Sequence, residues 1–318
     1  MIIILSFIIF LIIGYTFSSY LSKKLKIYDF PSKRKIHKKP VLCIGGIYFF
    51  CAILFSVILY FILKNFSYFA IVYETPQFFI NLLFVSLMIL LLGVADDKIS
   101  VNSLKKILFL FLINFFFLSL MQDEMRIYEI NSIIAGKIIL NDISSVFLTA
   151  VIFTIFIVFM GLIDGINCLL SSISIFLLII LSFYINYEYF SFSNILLVML
   201  VVFLSFFLIK NYNSNVFLGN SGSMILPFII ATLYYTNYED ISGIIVSNIE
   251  IMLILIWLII FDVLRVFINR MKNNKSPLQP DKSHFHHFLI KRYSLIQSLI
   301  IYLILNFMPI ILILFFII

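Results

Sequence analysis

Charge is what this chain has least of. Asp, Glu, Lys and Arg make up 12% of its 318 residues against 63% hydrophobic ones, and the mean hydropathy is +1.17. A water-soluble globule needs a charged surface, so that class is excluded and a protein crossing a bilayer many times is left. Cysteine is scarce: Cys43, Cys51 and Cys168 are the three. They show no paired spacing, which argues against a disulfide framework and a Cys-based zinc site. No G-x-x-x-x-G-K-S/T run occurs, so ATP hydrolysis on a P-loop has no support. No basic residue precedes the first apolar stretch, because Met1 to Ser22 is uncharged and the positive charges follow it. A cleaved signal has the opposite order, so a retained first span with its N-terminus outside is expected. Internal repeats, low-complexity linkers and a separate soluble domain are also missing. Residues 1–318 therefore read as one transmembrane domain, with nothing that points to nucleic acid as a partner.

What is present is apolar and aromatic, with 38 Phe residues. Hydropathy marks ten stretches, at about 1–21, 45–63, 78–95, 104–121, 145–163, 168–186, 194–210, 223–237, 248–269 and 297–317. Alternating them places 22–44, 96–103, 164–167, 211–222 and 270–296 on one side. With Lys105, Lys106, Lys210 and Arg265 counted at the helix ends beside these loops, that side carries all of the 22 Lys and Arg residues except Lys64, Arg126 and Lys137. A basic bias of this kind marks the cytoplasmic face. The expected fold is an all-α, polytopic protein of the plasma membrane with about ten transmembrane helices and both termini outside. On the outer side only 122–144 is long enough for local structure.

Two adjacent carboxylates, Asp96 and Asp97, close a run from Phe78 to Ala95 that carries no charge. Acids at the mouth of a membrane helix are costly and mark function by default. Their mutual repulsion calls for a cation or a shared proton; easing a like-charge pair by Asp→Asn is expected to cost the fold little. A simple polar stop to the helix is the plain alternative. All four histidines, and nearly all the acids of interest, fall on the basic side: His37, Asp96, Asp97, Asp164, Asp262, His284, His286 and His287. A polar substrate arriving from the cytoplasm follows, with the active site on that face.

The loop Lys23–Pro40 is heavily basic, as positive-inside topology and anionic lipid both require. It is followed by Gly45-Gly46, a pair that allows close backbone approach. Phe217–Ser223 (FLGNSGS) puts glycines and small polar groups at a helix start. That is either an anion site or a Ser-capped chain entry. Asp164-Gly165 lies in a short turn, where Asp164 either caps the next helix or serves a site. Asp262 and Arg265 are three apart and can pair. Ser276–His287 (SPLQPDKSHFHH) gathers three histidines with Asp281 and Lys282, a set able to bind metal or phosphate or to move protons.

Taken in order, these segments resemble the polyprenyl-phosphate N-acetylhexosamine-1-phosphate transferases, which start lipid-linked cell-envelope glycans. The resemblance rests on Asp29–Gly46, on Gly93–Lys106 (GVADDKISVNSLKK), on Leu162–Asn167 (LIDGIN), on Val216–Ser223 and on Phe261–His287. It implies transfer of a sugar-1-phosphate from a UDP-sugar to polyprenyl (undecaprenyl) phosphate, releasing UMP, with Mg2+, or Mn2+ in its place, as cofactor. Carried over, Asp96 is the base or lipid-phosphate partner, and Asp97 and Asn220 are metal ligands. Asp164, Asn167, Lys282, His284, His286 and His287 bind the nucleotide sugar. Lys106, Asp262, Arg265, Gly45 and Gly46 support them.

The chain departs from that pattern in places. Val158 and Gly161 stand where the family has N-x-x-N. Asn167 and Asn220 stand where it has Asp, and Leu42 and Cys43 replace Pro and Arg. A neutral amide can coordinate Mg2+ but adds no charge. A catalytically degenerate relative that binds lipid or a partner is therefore the alternative. An ion-coupled transporter would want acids near mid-membrane, whereas these sit at one surface. Which sugar, which glycan and which oligomeric state are not encoded; a homodimer stays open.

Overall fold

The computed structural model describes residues 2–31, 39–64, 75–121, 126–132, 136–183, 191–236, 255–274, 276 and 282–317. His37, Asp281 and the start of the expected 248–269 stretch lie outside the described residues. Every one of the ten apolar stretches coincides with helix where it is described. The helices are α1 (Ile2–Lys24), α2 (Gly45–Lys64), α3 (Pro76–Ile99), α4 (Ser103–Leu120), α5 (Asp142–Leu162), α6 (Leu169–Ser182), α7 (Phe192–Tyr212), α8 (Gly219–Thr236), α9 (Trp257–Lys272) and α11 (Leu295–Ile317); a short helix, α10 (Phe285–Arg292), precedes the last. Six of them, α1 to α5 and α7, are long and apolar enough to cross a membrane, while Leu169–Ser182 and Leu295–Pro309 are shorter apolar helices. Six spans are thus supported by length and composition, and the count of ten is an expectation the structure leaves open.

Local chemistry sets the ends. Thr75 caps α3, accepting from the Phe78 N–H, and Pro76 fills the first turn, where its missing N–H costs nothing. Asn102, Asn141 and Ser191 do the same for α4, α5 and α7. Expected outer segment 122–144 contains a hairpin of β3 (Glu129–Ser132) and β4 (Gly136–Ile139), paired antiparallel.

Helix α8 is the hub. It packs against α2, α3, α5, α6 and α7, and every residue from Ser221 to Tyr235 is buried. The peripheral α1 instead leaves Leu5, Ile8, Ile9, Ile12 and Ile13 exposed, the face expected toward lipid. A second device fixes the entry to α8. Strand β1 (Tyr28–Asp29) pairs antiparallel with β2 (Val41–Cys43), which pairs parallel with β5 (Val216–Phe217). The strands feeding α2 and α8 thus run side by side, so both helices start at one end of the bundle. No hydropathy pattern announces these two- and three-residue strands, because each is too short to show a period.

The close approach of α8 to α2 and α3 depends on glycine. A Cβ at Gly46 would run into the Ser221 side chain, and one at Gly93 into the Ser221 backbone. The Gly45-Gly46 pair read from sequence is therefore a packing device that lets α8 seat against its neighbours.

Candidate functional site

Asp96 and Asp97 are consecutive on α3, about 100° apart around the helix, so their side chains serve different neighbours. Asp96 is buried, and its carboxylate accepts from the Val101 N–H (2.8 Å) and from Lys106 Nζ (3.0 Å). It closes the α3–α4 corner and fixes Lys106. Asp97 turns the other way, onto the start of α8. Its Oδ1 accepts from the Asn220 N–H (2.6 Å), and its Oδ2 from the Ser221 N–H (3.1 Å) and the Ser221 hydroxyl (2.8 Å). The carboxylate supplies the negative charge that the α8 N-terminus attracts. Gly219, at φ +70°, makes the turn into α8, and a Cβ there would press on this same carboxylate.

Two expectations change here. Repulsion between the paired acids is met by Lys106 on one side and by helix N–H groups on the other. Easing it by Asp→Asn removes bonds and is no longer free for the fold. FLGNSGS is also not an open anion cradle, because two of its N–H groups already bind Asp97. Nor is it capped by its own serine; the cap comes from another helix.

Asp164 sits in the turn between α5 and α6. Cys168, not Asp164, is the cap position of α6, and its side chain makes no capping bond, so the capping explanation for Asp164 is excluded. The Asp164 side chain is exposed and, among the described residues, meets no protein donor. Although it keeps accessible surface, surrounding protein desolvates the carboxyl, and the negative charges of Asp97 and Asp29 add to the effect. Together they push its pKa well above the usual carboxylate range. Asn167, in the same turn, donates to Ser214 Oγ at 2.7 Å. Asn211 holds the turn in place, its Oδ1 accepting from the Cys168 N–H (2.6 Å) and its Nδ2 donating to the Val216 carbonyl (2.8 Å). Sequence reasoning missed Asn211; its signal is a buried amide ending the long apolar run of α7.

The histidine segment lies against this turn. A Cβ on Gly165 would collide with the His286 and His287 rings. His284 stacks on His286 with centroids 5.7 Å apart and planes 3° from parallel, and His286 meets His287 at 4.4 Å. His286 is 1% exposed, and among the described residues neither ring nitrogen has a partner. Burial, then the neighbouring His287 and His284, pulls its pKa down to about 3, so the ring is neutral at physiological pH. His284 Nδ1 lies 2.9 Å from Asp262 Oδ2. The expected Asp262–Arg265 pair is present, with Nη2 to Oδ1 at 2.7 Å. Lys282 is exposed just before this array.

One end of the bundle therefore brings together Asp96, Asp97, Lys106, the Asn220 turn, Asp164 and, through Gly165, the three histidines. Gly161 faces the same helix start: a Cβ there would sit in ordinary contact with the Ser223 carbonyl, at 3.5 Å. The donor set suits a hard cation. Asp164 is a carboxylate with no partner among the described residues, its pKa raised first by desolvation and then by like charges, and Asn220 is exposed. Among the described residues no group of three His, Cys, Asp or Glu could hold a metal ion. An ion here would keep water and substrate phosphate as most of its ligands, the mode typical of Mg2+.

A family model described as glycosyl transferase family 4 matches residues 79–238. The match runs from α3 to the end of α8, covering Asp96, Asp97, Asp164 and Asn220 but not the histidine segment. No curated protein matches the chain.

Proposed function

The chain belongs to glycosyl transferase family 4, and from that premise we propose that it transfers a sugar-1-phosphate, in our reading N-acetylhexosamine-1-phosphate, from a UDP-sugar to polyprenyl phosphate. The family is one of membrane transferases, generally dependent on a divalent metal. In this reading the site faces the cytoplasm and the chain lies in the plasma membrane, starting a cell-envelope glycan. The observation that carries the proposal is one polar end of the bundle, where an acidic turn with no partner among the described residues meets a histidine array beside the junction of α2, α3 and α8.

The chemistry asks little covalent work of the protein. An oxygen of the lipid phosphate attacks the phosphorus bearing the sugar, the P–O bond to UMP breaks, and the sugar remains on lipid as a diphosphate. A lipid phosphate is already ionised at neutral pH, so positioning and charge neutralisation dominate. Mg2+ would supply the neutralising charge on the diphosphate, with Asp164, Asn220 and the one lone pair that Asp97 has left as its protein ligands. Asp97 also holds the α8 start in register with α3. Asp96 fixes Lys106, whose cation then faces the phosphates rather than wandering in solvent. His284 and Lys282 meet the nucleotide sugar, and Asn167 shapes the turn beneath it.

A second reading has one observation in its favour: both adjacent acids already have protein partners, as in a degenerate relative that binds lipid without turnover. Purified protein with radiolabelled UDP-N-acetylhexosamine, Mg2+ and polyprenyl phosphate separates the two. Transfer puts label in the organic extract with stoichiometric UMP. Retained lipid binding with no UMP would favour the binder.

A further inference from the structure

The three histidines of the array are not equivalent. Asp262 holds one of them and the backbone beside it. Its Oδ2 faces His284 Nδ1 at 2.9 Å, and both oxygens accept from the Phe285 N–H at 3.1 Å. Arg265 bonds Oδ1 through Nη2 at 2.7 Å and reaches on to the Ser283 carbonyl at 2.6 Å. The residues before and after His284 are thus clamped to α9, and so is one edge of its ring. A helix-surface ion pair needs none of this. By contrast, His286 is buried with neither nitrogen bonded among the described residues, and serves as a flat surface against which His284 stacks.

Resting on the transferase reading above, we propose that Asp262 is a positioning residue that fixes His284 as the Nδ1–H tautomer, so that its Nε2 lone pair accepts a hydrogen bond from a hydroxyl or amide N–H of the bound sugar nucleotide. The reasoning is one of donors and acceptors. With Arg265 beside it, Asp262 is ionised and can only accept. Nδ1 must then carry the proton, and in the neutral ring Nε2 is left as an acceptor. Nε2 has no partner among the described residues, and His284 keeps 7% of its surface. A lone-pair acceptor is the wrong group for a phosphate oxygen. It suits the donors of a sugar, so His284 reads the sugar nucleotide while Lys282 and Lys106 remain for its phosphates.

The test uses the full chain in lipid nanodiscs, labelled with 15N-histidine. The His284 signal, identified by its loss in His284→Gln, is expected to show Nδ1 protonated and Nε2 bare in the parent. Asp262→Asn should shift the population toward Nε2–H, because the amide can donate to Nδ1. In the transfer assay Asp262→Asn should lose about 10–100-fold, the usual cost of removing an orienting partner. The same change made in His284→Gln should cost less than about twofold, since Asp262 acts through that ring. A parent spectrum with Nε2–H overturns the proposal whether or not the variant folds. So does an equal loss from Asp262→Asn in both backgrounds. A parent with the predicted tautomer but no transfer would sink the transferase reading and leave the role of Asp262 standing.

Discussion

Replacing Asp97 by Asn separates a helix cap from a simple charge at the site. The carboxylate accepts three bonds from the first turn of α8. An Asn side chain has one acceptor oxygen. If that oxygen keeps the two Ser221 donors, the amide NH2 points at the Asn220 N–H, donor against donor. Losing one charge-assisted hydrogen bond costs about 1.5–3 kcal/mol, and losing the negative charge at a helix start adds about 0.3–1 kcal/mol. The local loss is therefore about 3 kcal/mol, or roughly a hundredfold in an opening equilibrium. Amide hydrogen exchange on the detergent-solubilised protein reads this directly. Protection of the Asn220 and Ser221 N–H groups should fall by about that factor. Asn220→Ala, which removes a side chain but none of these backbone donors, should leave it unchanged. Undiminished protection in Asp97→Asn would refute the capping role, and with it the explanation of why α3 and α8 stay in register.

Gly93→Ala should lower the thermal midpoint, at a cost of about 1–3 kcal/mol, because the new methyl meets the Ser221 backbone rather than a yielding side chain; a midpoint equal to the parent's would contradict the close seating of α8. His286→Phe should be neutral or stabilising at pH 7, since it removes two buried nitrogens that lack partners among the described residues. The parent's His286 pKa is depressed to about 3, so its contribution to stability is lost as pH falls below the unfolded value of about 6.5. The variant should show a shallower loss between about pH 6.5 and 3 by thermal unfolding, and identical slopes would tell against a buried neutral ring. Asp164, with its raised pKa, destabilises the fold as pH rises from the ordinary carboxylate range toward its own. In chelator at pH 7, Asp164→Asn should therefore raise the thermal midpoint, and it should weaken stabilisation by added Mg2+. Asn220→Asp should do the opposite, moving the Mg2+ titration to lower concentration, by tenfold if about 1.4 kcal/mol is regained; adding Gly161→Asn should enhance that shift, and an unmoved titration would place the ion elsewhere.

The helices were legible because a bilayer demands long apolar runs, and every one of the ten stretches meets helix where it is described. The strands β1, β2 and β5 were not, since segments this short carry no periodicity. Asp96 and Asp97 stood out as charges ending an uncharged run, but their division of labour did not. That division follows from the 100° between consecutive helix positions and from which helices lie on each side, which only tertiary packing decides. Gly219 and Gly222 pointed to the α8 turn without revealing that the capping anion comes from α3. Asp164 was equally balanced between cap and site until the fold put Cys168, not Asp164, at the start of α6. The Asp262–Arg265 pair could be read from spacing alone, but its grip on His284 spans 22 residues and needed the fold.

The central claim is that phosphorus travels with the sugar. It is tested most directly with a UDP-N-acetylhexosamine carrying 32P in the phosphate next to the sugar, presented with Mg2+ and polyprenyl phosphate to the purified protein. Sugar-1-phosphate transfer moves the 32P into the lipid extract, in equal amount to the sugar, and leaves unlabelled UMP in the water. Transfer of the sugar alone would leave the 32P in aqueous UDP, and that result would contradict the reaction assigned to this site.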